Sequence, residues 1–445
     1  MNPDLGYEIA LAAVVVYAAI VYALWRAGRI GPDRVFSLMG PALMIKTRRG
    51  RSALDRWGRF TRFWTWASDL GVALAALAMI VIVILLLFGA VASLRLSPST
   101  APNPATALGL PGINPFIPIG YGLIALVVGI VLHELAHGIV ARSQSIGVKS
   151  LGVLWCVVPV GAFVEQDDTE MLAASRRRRD RVAAAGVLAN FALAVVFFAL
   201  LSGLVATSAQ PVGAGVGVVY VQPGSTAAVN TTLAAGDLIL AINGVNTTTV
   251  SQFQSAIDST TPGQNVSVVY RTTDGAVVTA HVVLGANPSV ATRGFLGVGV
   301  EPLSPADLKQ TLVFPLGSRY GPLAGSIYWL VLPFATLEPI GGPTISFFHI
   351  TGPLAAMGAG NFWILANVFY WLAWMNLLLG LSNALPLVPL DGGLLIRDFA
   401  ASVAARWHRA WDSARLDAFG ARAAAYSSII VLVLLVWQFV VPRLL

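Results

Sequence analysis

Long uninterrupted runs of apolar residues dominate the chain and set its architecture. Six of them, at 8–25, 71–92, 121–142, 182–205, 362–385 and 425–441, approach the ~20 residues that a helix needs to cross a bilayer. Between the fourth and fifth runs the pattern changes. Residues 215–284 are rich in Val, Thr, Gly and Asn, and apolar positions alternate between turn signals at Pro223-Gly224, Asn243-Gly244, Pro262-Gly263 and Asp274-Gly275. This region predicts a small β-rich domain. Residues 326–348 are apolar but broken by Pro333, Pro339, Gly341, Gly342 and Pro343, which predicts an interfacial or re-entrant segment. The expected fold is a polytopic α-helical membrane protein of about six transmembrane helices with a small β-rich domain inserted.

Composition agrees: 56% of the 445 residues are hydrophobic and 11% charged, which excludes an ordinary soluble protein of this length. The net charge of +7 is concentrated in loops. Residues 26–62 carry Arg29, Arg34, Lys46, Arg48, Arg49, Arg51, Arg56 and Arg59, so by the positive-inside rule this segment is expected to be cytoplasmic. Alternation then places Lys149 and the run Arg176 to Arg179 in the cytoplasm and residues 207–319 outside. Arginine runs beside a span are topology signals, and no aromatic nucleic-acid motif accompanies them, so no nucleic-acid partner is expected. Asp4 and Glu8 precede the first span and basic residues follow it, the order of a retained anchor rather than a cleaved leader. Cys156 stands alone and excludes an intrachain disulfide or a Cys-rich metal site. Asn230, Asn246 and Asn265 each begin an Asn-x-Ser/Thr sequon in the β-rich domain, in keeping with an extracytoplasmic position.

Inside the third span stands His133-Glu-Leu-Ala-His137. An ionisable group at mid-membrane costs about 2.5–3.5 kcal/mol, so three within five residues mark a functional site. On a helix His133 and His137 share one face, where two imidazoles can hold one metal, and Glu134 lies beside them to take a proton from water. A catalytic metal of this kind needs a third protein ligand. Carboxylates near membrane depth outside the motif are Glu338 and Asp391. The span 362–385 runs from the external to the cytoplasmic side, which delivers Asp391 to the leaflet of His137, whereas Glu338 falls near the external face.

Asn383-Ala-Leu-Pro-Leu-Val-Pro-Leu-Asp-Gly-Gly393 resembles the Asn-Pro-Asp-Gly signature of site-2 proteases, the intramembrane zinc metalloproteases, and follows the His-Glu-x-x-His helix in the family's order. The resemblance covers roughly residues 121–397. It implies Zn2+ held by His133, His137 and Asp391, Glu134 as the base, and Asn383 positioning substrate or stabilising the oxyanion. Ala184-Ala-Gly-Val-Leu-Ala-Asn190 is similar to the family's Gly-Pro-x-x-Asn element, with Asn190 kept and Val187 in place of proline. For Asn190 a plain interhelical hydrogen bond is an equal alternative. Gly161 and Phe163 lie in a stretch similar to the family's membrane-associated β-hairpin. Pro386 ends a helix or, near a metal, opens the backbone to water. The segments 221–228 and 233–245 resemble a PDZ domain, which implies capture of extended peptide or a carboxyl terminus.

The implied partners are transmembrane protein substrates and the lipid bilayer, in a multi-pass protein of the cell membrane with its site toward the cytoplasm and the PDZ-like domain outside. The expected organisation is a two-helix membrane region with its basic loop (1–120), a first catalytic part (121–206), the PDZ-like domain (207–305) and the interfacial segment (306–361). A second catalytic part (362–397) and a cytoplasmic stretch with the last helix (398–445) complete it. A metal or ion transporter, or an inactive scaffold with a peptide-binding domain, are the alternative functions. The first would show inverted repeats, and the second would have lost Glu134 or a ligand.

Overall fold

The computed structural model describes residues 3–32, 34–313, 327, 329–333 and 340–445. In the interfacial segment read at 326–348, residues 326, 328 and 334–339, Glu338 and Pro339 among them, lie outside the described residues. The chain divides into two compact units, one of residues 1–115, 122–194 and 374–445 and the other of residues 116–121 and 195–373.

Five helices are long and apolar enough to cross a membrane: Thr61–Ser93, Ile119–Ser143, Arg176–Ser208, Ala359–Asn383 and Ser413–Leu444. Each coincides with one of the apolar runs of the sequence, although the helix Ala359–Asn383 stops two residues short of the run read at 362–385. The first run forms helix α1 (Pro3–Arg26), so a helix stands there as expected. Helices that face lipid stay apolar on all sides, and those inside a bundle bury polar atoms. Ser413–Leu444 has 11% of its most apolar window buried inside the protein, against 56% for Ala359–Asn383 at the lower mean hydropathy of 1.6, so the latter is the interior helix.

In the first unit, β1 (Phe36–Met39) and β2 (Ala42–Thr47) lead through α2 (Arg51–Gly58) into α3 (Thr61–Ser93). After α4 (Ile119–Ser143) come β3 (Val148–Cys156), β4 (Val158–Gln166), α5 (Asp168–Ala173) and α6 (Arg176–Ser208). The hairpin expected around Gly161 is present, with Gly152 opposite Phe163 and Leu154 opposite Gly161. It does not stand alone. The four strands form one antiparallel sheet in the order β1-β2-β3-β4, with Met44 opposite Leu154, so part of the basic loop read at 26–62 is sheet. β4 is its edge.

The arginine run that signals topology also ties helices together. Arg179 grips Asp398 through two bonds, Nε to Oδ2 at 2.7 Å and Nη2 to Oδ1 at 2.8 Å, and Arg181 grips Asp69 in the same way at 2.7 and 2.9 Å. Asp398 is 4% exposed and belongs to the helix Asp391–Trp407, absent from the sequence reading, which packs along Ser413–Leu444. Removing one partner of a buried, doubly bonded pair strands the other charge at about 3–5 kcal/mol. Arg179→Ala is therefore expected to lower the thermal unfolding midpoint in detergent by several degrees. An unchanged midpoint would mean that the pair does not hold the helices.

The second unit contains the β-rich region. Its antiparallel strands run in the spatial order Val277–Val283, Asn265–Arg271, Leu238–Ile242, Val216–Val221 and Val298–Val300. Asn243 and Gly244, both at positive φ (48° and 75°), turn Leu238–Ile242 back onto Val245–Asn246. That is the geometry in which an Asn-Gly pair closes a two-residue hairpin. Helix Val250–Asp258 covers the sheet through Phe253 and Ala256, over a core of Val216, Val218, Ile239, Ile242, Val268 and Tyr270. Asn230, Asn246 and Asn265 are all exposed.

Candidate metal centre

His133 and His137 lie one turn apart on α4, and both side chains are buried at 7% exposure. Their Nε2 atoms face each other at 3.1 Å. Asp391, first residue of its helix, places Oδ2 at 3.4 Å from each of them. The sequence expectation that these three residues converge is met in geometry. Among the described residues they are the cluster of His, Cys, Asp or Glu side chains whose ligand atoms meet closely enough to hold a metal ion.

The hydrogen bonds around the cluster fix its chemistry. His137 Nδ1–H donates to Val182 O at 2.7 Å, which leaves the Nε2 lone pair aimed inward. His133 Nδ1 meets the Asn190 side-chain amide at 3.1 Å, and Asn190 Oδ1 is buried without a hydrogen bond. With that amide turned over, Oδ1 accepts Nδ1–H of His133, and the second histidine also presents a bare Nε2. Asp391 Oδ2 is likewise buried without a hydrogen-bond partner. Two imidazole lone pairs and a carboxylate oxygen then converge with no donor between them, an arrangement that repels itself unless a cation is shared. The residues fit a metal.

The local sequence explains the closeness. A Cβ on Gly186 would stand 2.5 Å from Nε2 of each histidine, so α6 can pass the cluster only with glycine there. Gly129 lets Leu379 and Asn376 of the interior helix approach α4, and Gly380 does the same for Phe191 of α6. Behind Asp391, Gly392 and Gly393 sit against the backbone of residues 384–388 in the reversal that contains buried Pro386, where any side chain would clash. The fully buried Asn376 went unnoticed in the sequence, and Gly186 was read only as the glycine of the element ending at Asn190, with no role of its own. Gly186 carried a signal, four residues before Asn190 in a helix where glycine is unfavourable.

Glu134, next to His133 on α4, accepts the Val164 N–H at 3.1 Å, which links the carboxylate to edge strand β4. Gly161 and Phe163 share that strand, with Phe163 packed over Gly152. A cavity of ≈ 330 Å³ is lined by Glu134, His137, Val164, Asp391, Asp180 and Arg397, polar enough to admit water. Asn383 ends the interior helix, and its amide nitrogen donates to Leu379 O one turn back at 3.0 Å.

Comparison with known proteins agrees with this geometry. The family description "Peptidase family M50", the site-2 protease family, matches residues 121–412, well over half of the chain. The chain belongs to peptidase family M50. It is 26% identical to an uncharacterized protein of Methanocaldococcus jannaschii over 88% of this chain and 85% of that one. A putative zinc metalloprotease of Nostoc is 28% identical over 61% of this chain and 82% of its own length. A solved PDZ domain of an SdrC-like protein from Listeria monocytogenes aligns with 20% of the chain and 92% of its own length at 28% identity and a TM-score of 0.18. The family assignment rests on the first of these matches and on the cluster itself.

Proposed function

We propose that the protein is an intramembrane zinc endopeptidase that hydrolyses peptide bonds within or near the transmembrane segments of membrane-protein substrates. The observation that carries this reading is the convergence of His133 Nε2, His137 Nε2 and Asp391 Oδ2, with Glu134 beside them at a cavity. Those three atoms would hold the ion. Zinc bound there supplies Lewis acidity, which polarises a scissile carbonyl and makes water a nucleophile near neutral pH.

Glu134 takes the proton from the attacking water on its carboxylate and returns it to the departing amine nitrogen. The Val164 N–H holds that carboxylate at the sheet edge. Asn383, as oxyanion donor, would have to exchange Leu379 O for the substrate oxygen, a swap of one acceptor for another. Asn190 acts through His133, keeping the imidazole in the tautomer that presents Nε2.

A helical substrate hides its carbonyls in its own hydrogen bonds, so cleavage requires local unwinding. β4 is an edge strand beside Glu134 and can take the unwound segment as an added strand, with Gly161 and Phe163 along its length. The PDZ-like region binds peptide or a carboxyl terminus, or restricts access. By the positive-inside rule the catalytic site lies toward the cytoplasmic side of the cell membrane and the PDZ-like region outside.

The test is metal analysis of the purified protein together with cleavage of a single-span substrate in proteoliposomes. About one zinc per chain, cleavage lost to a chelator and restored by added zinc are expected. Cleavage that continues in a metal-free preparation would overturn the reading, as would metal taken up into vesicles without proteolysis.

A further inference from the structure

The turn Thr47-Arg-Arg-Gly-Arg51 leads from β2 into α2. Gly50, at φ 93°, occupies the N-cap position, no side chain caps the helix and no acidic residue stands in its first turn. The leading N–H groups of α2 therefore point outward with their partial positive charge uncompensated. Thr47, Arg48 and Arg51 of this turn line a cleft of ≈ 830 Å³, together with Arg34, Arg142 of α4, Lys149 and Ser150 of β3, and the acids Glu165, Asp167 and Glu170.

Most charges in the cleft are already matched. Lys46 pairs with Glu165 at 3.0 Å, Lys149 with Asp168 at 3.4 Å, and Arg142 with Asp55. The acids are equally engaged: Glu165 also accepts Ser150 Oγ, Asp167 caps α5 through Thr169 N, and Glu170 accepts Gly147 N. That leaves Arg34, Arg48 and Arg51, which have no ion pair among the described residues. Three planar, fork-shaped donors and a bare helix N-terminus around one cleft are the elements of a phosphate site.

Position decides which phosphate. Arg142 is in the last turn of spanning helix α4, and α2 ends at Gly58, just before spanning helix α3 begins at Thr61. Arg142 also closes the apolar run of α4, so the cleft opens at the level where that helix leaves the bilayer, the depth of lipid headgroups. We propose that it binds the phosphate headgroup of an anionic membrane lipid. This site is separate from the metal cluster and goes beyond the proteolytic reading, whose failure would leave it standing. It shares the sheet, because Ser150 of β3 lines the cleft while neighbouring β4 holds Glu134.

The experiment uses the full chain in neutral detergent, titrated with phosphatidylglycerol or phosphatidylcholine at equal micellar mole fraction, and in a third arm with inorganic phosphate. Bound species are counted by native mass spectrometry. Preferential retention of phosphatidylglycerol is expected, and Arg34→Gln/Arg48→Gln/Arg51→Gln should weaken it on the order of 100-fold, about fivefold for each cation. A control with the same charge loss, Arg406→Gln/Arg409→Gln/Arg422→Gln, alters three exposed residues outside the cleft and should keep the preference. Should the triple cleft variant not fold, Arg48→Gln alone should show its fivefold share. Equal losses in both triple variants would overturn the proposal in favour of general surface charge. Inorganic phosphate binding as tightly as the lipid would overturn it in favour of a soluble ligand.

Discussion

Glu134→Gln is expected to keep about one zinc per chain and to lose peptide hydrolysis by about 10²–10⁴-fold in kcat, the range that general acid–base catalysis supplies. The substitution is nearly isosteric. Glutamine keeps a side-chain oxygen, so the bond from Val164 N–H survives and the sheet edge stays in place. It removes only the capacity to accept a proton from water and return it. Glu134 is also absent from the converging set of His133, His137 and Asp391, so metal content should not follow activity. The measurement is zinc content and single-span substrate cleavage on the same preparation. Full activity in the variant would end the assignment of the base. Loss of zinc along with activity would show instead that Glu134 supports the cluster, and the proton would need another carrier.

The contrast between Glu134 and Asp391 shows what the sequence could and could not reveal. Two histidines four apart on a helix must share a face, and an odd number of crossings must separate the ends of a spanning helix. These rules brought His133, His137 and Asp391 together before any coordinates, and the structure places them within 3.4 Å. Turn chemistry was legible for the same local reason: Asn243-Gly244 needs positive φ, and the chain turns there. What escaped depends on contacts between distant segments. Phe36–Met39 and Ala42–Thr47 become strands because Ala42–Thr47 pairs with Val148–Cys156 a hundred residues later, and the surrounding arginines masked the apolar pattern. The helix Asp391–Trp407 was hidden similarly, since its charged residues, among them Asp398, read as a solvated stretch until Arg179 met them. Asn383 shows a third kind of gap. Its family motif is visible, but its amide is bonded within its own helix, and only a bound substrate could call it away.

Gly186→Ala should separate metal binding from folding with opposite signs. In a helix interior, alanine is favoured over glycine by about 0.8–1 kcal/mol, so propensity alone makes the variant more stable. Gly186, however, lies against the face of α4 that carries the ligands, and the added methyl would stand 2.5 Å from Nε2 of both His133 and His137. That is well inside van der Waals contact, and it falls on the two atoms that would bind the ion. The methyl can be housed only if α6 moves away or the imidazoles rotate. Rotation breaks the bonds from His137 Nδ1 to Val182 O and between His133 and Asn190, both of which come from α6 itself. Either response opens the cluster. Zinc affinity should fall at least as far as when an outer hydrogen-bond partner is lost, about 10–100-fold, with hydrolysis falling alongside. Metal titration with a competing chelator reads the first effect, and thermal unfolding of the metal-free protein reads the second. Unchanged zinc affinity in a folded Gly186→Ala protein would show that the ion sits away from the gap between the two Nε2 atoms, and the ligand set would have to be redrawn.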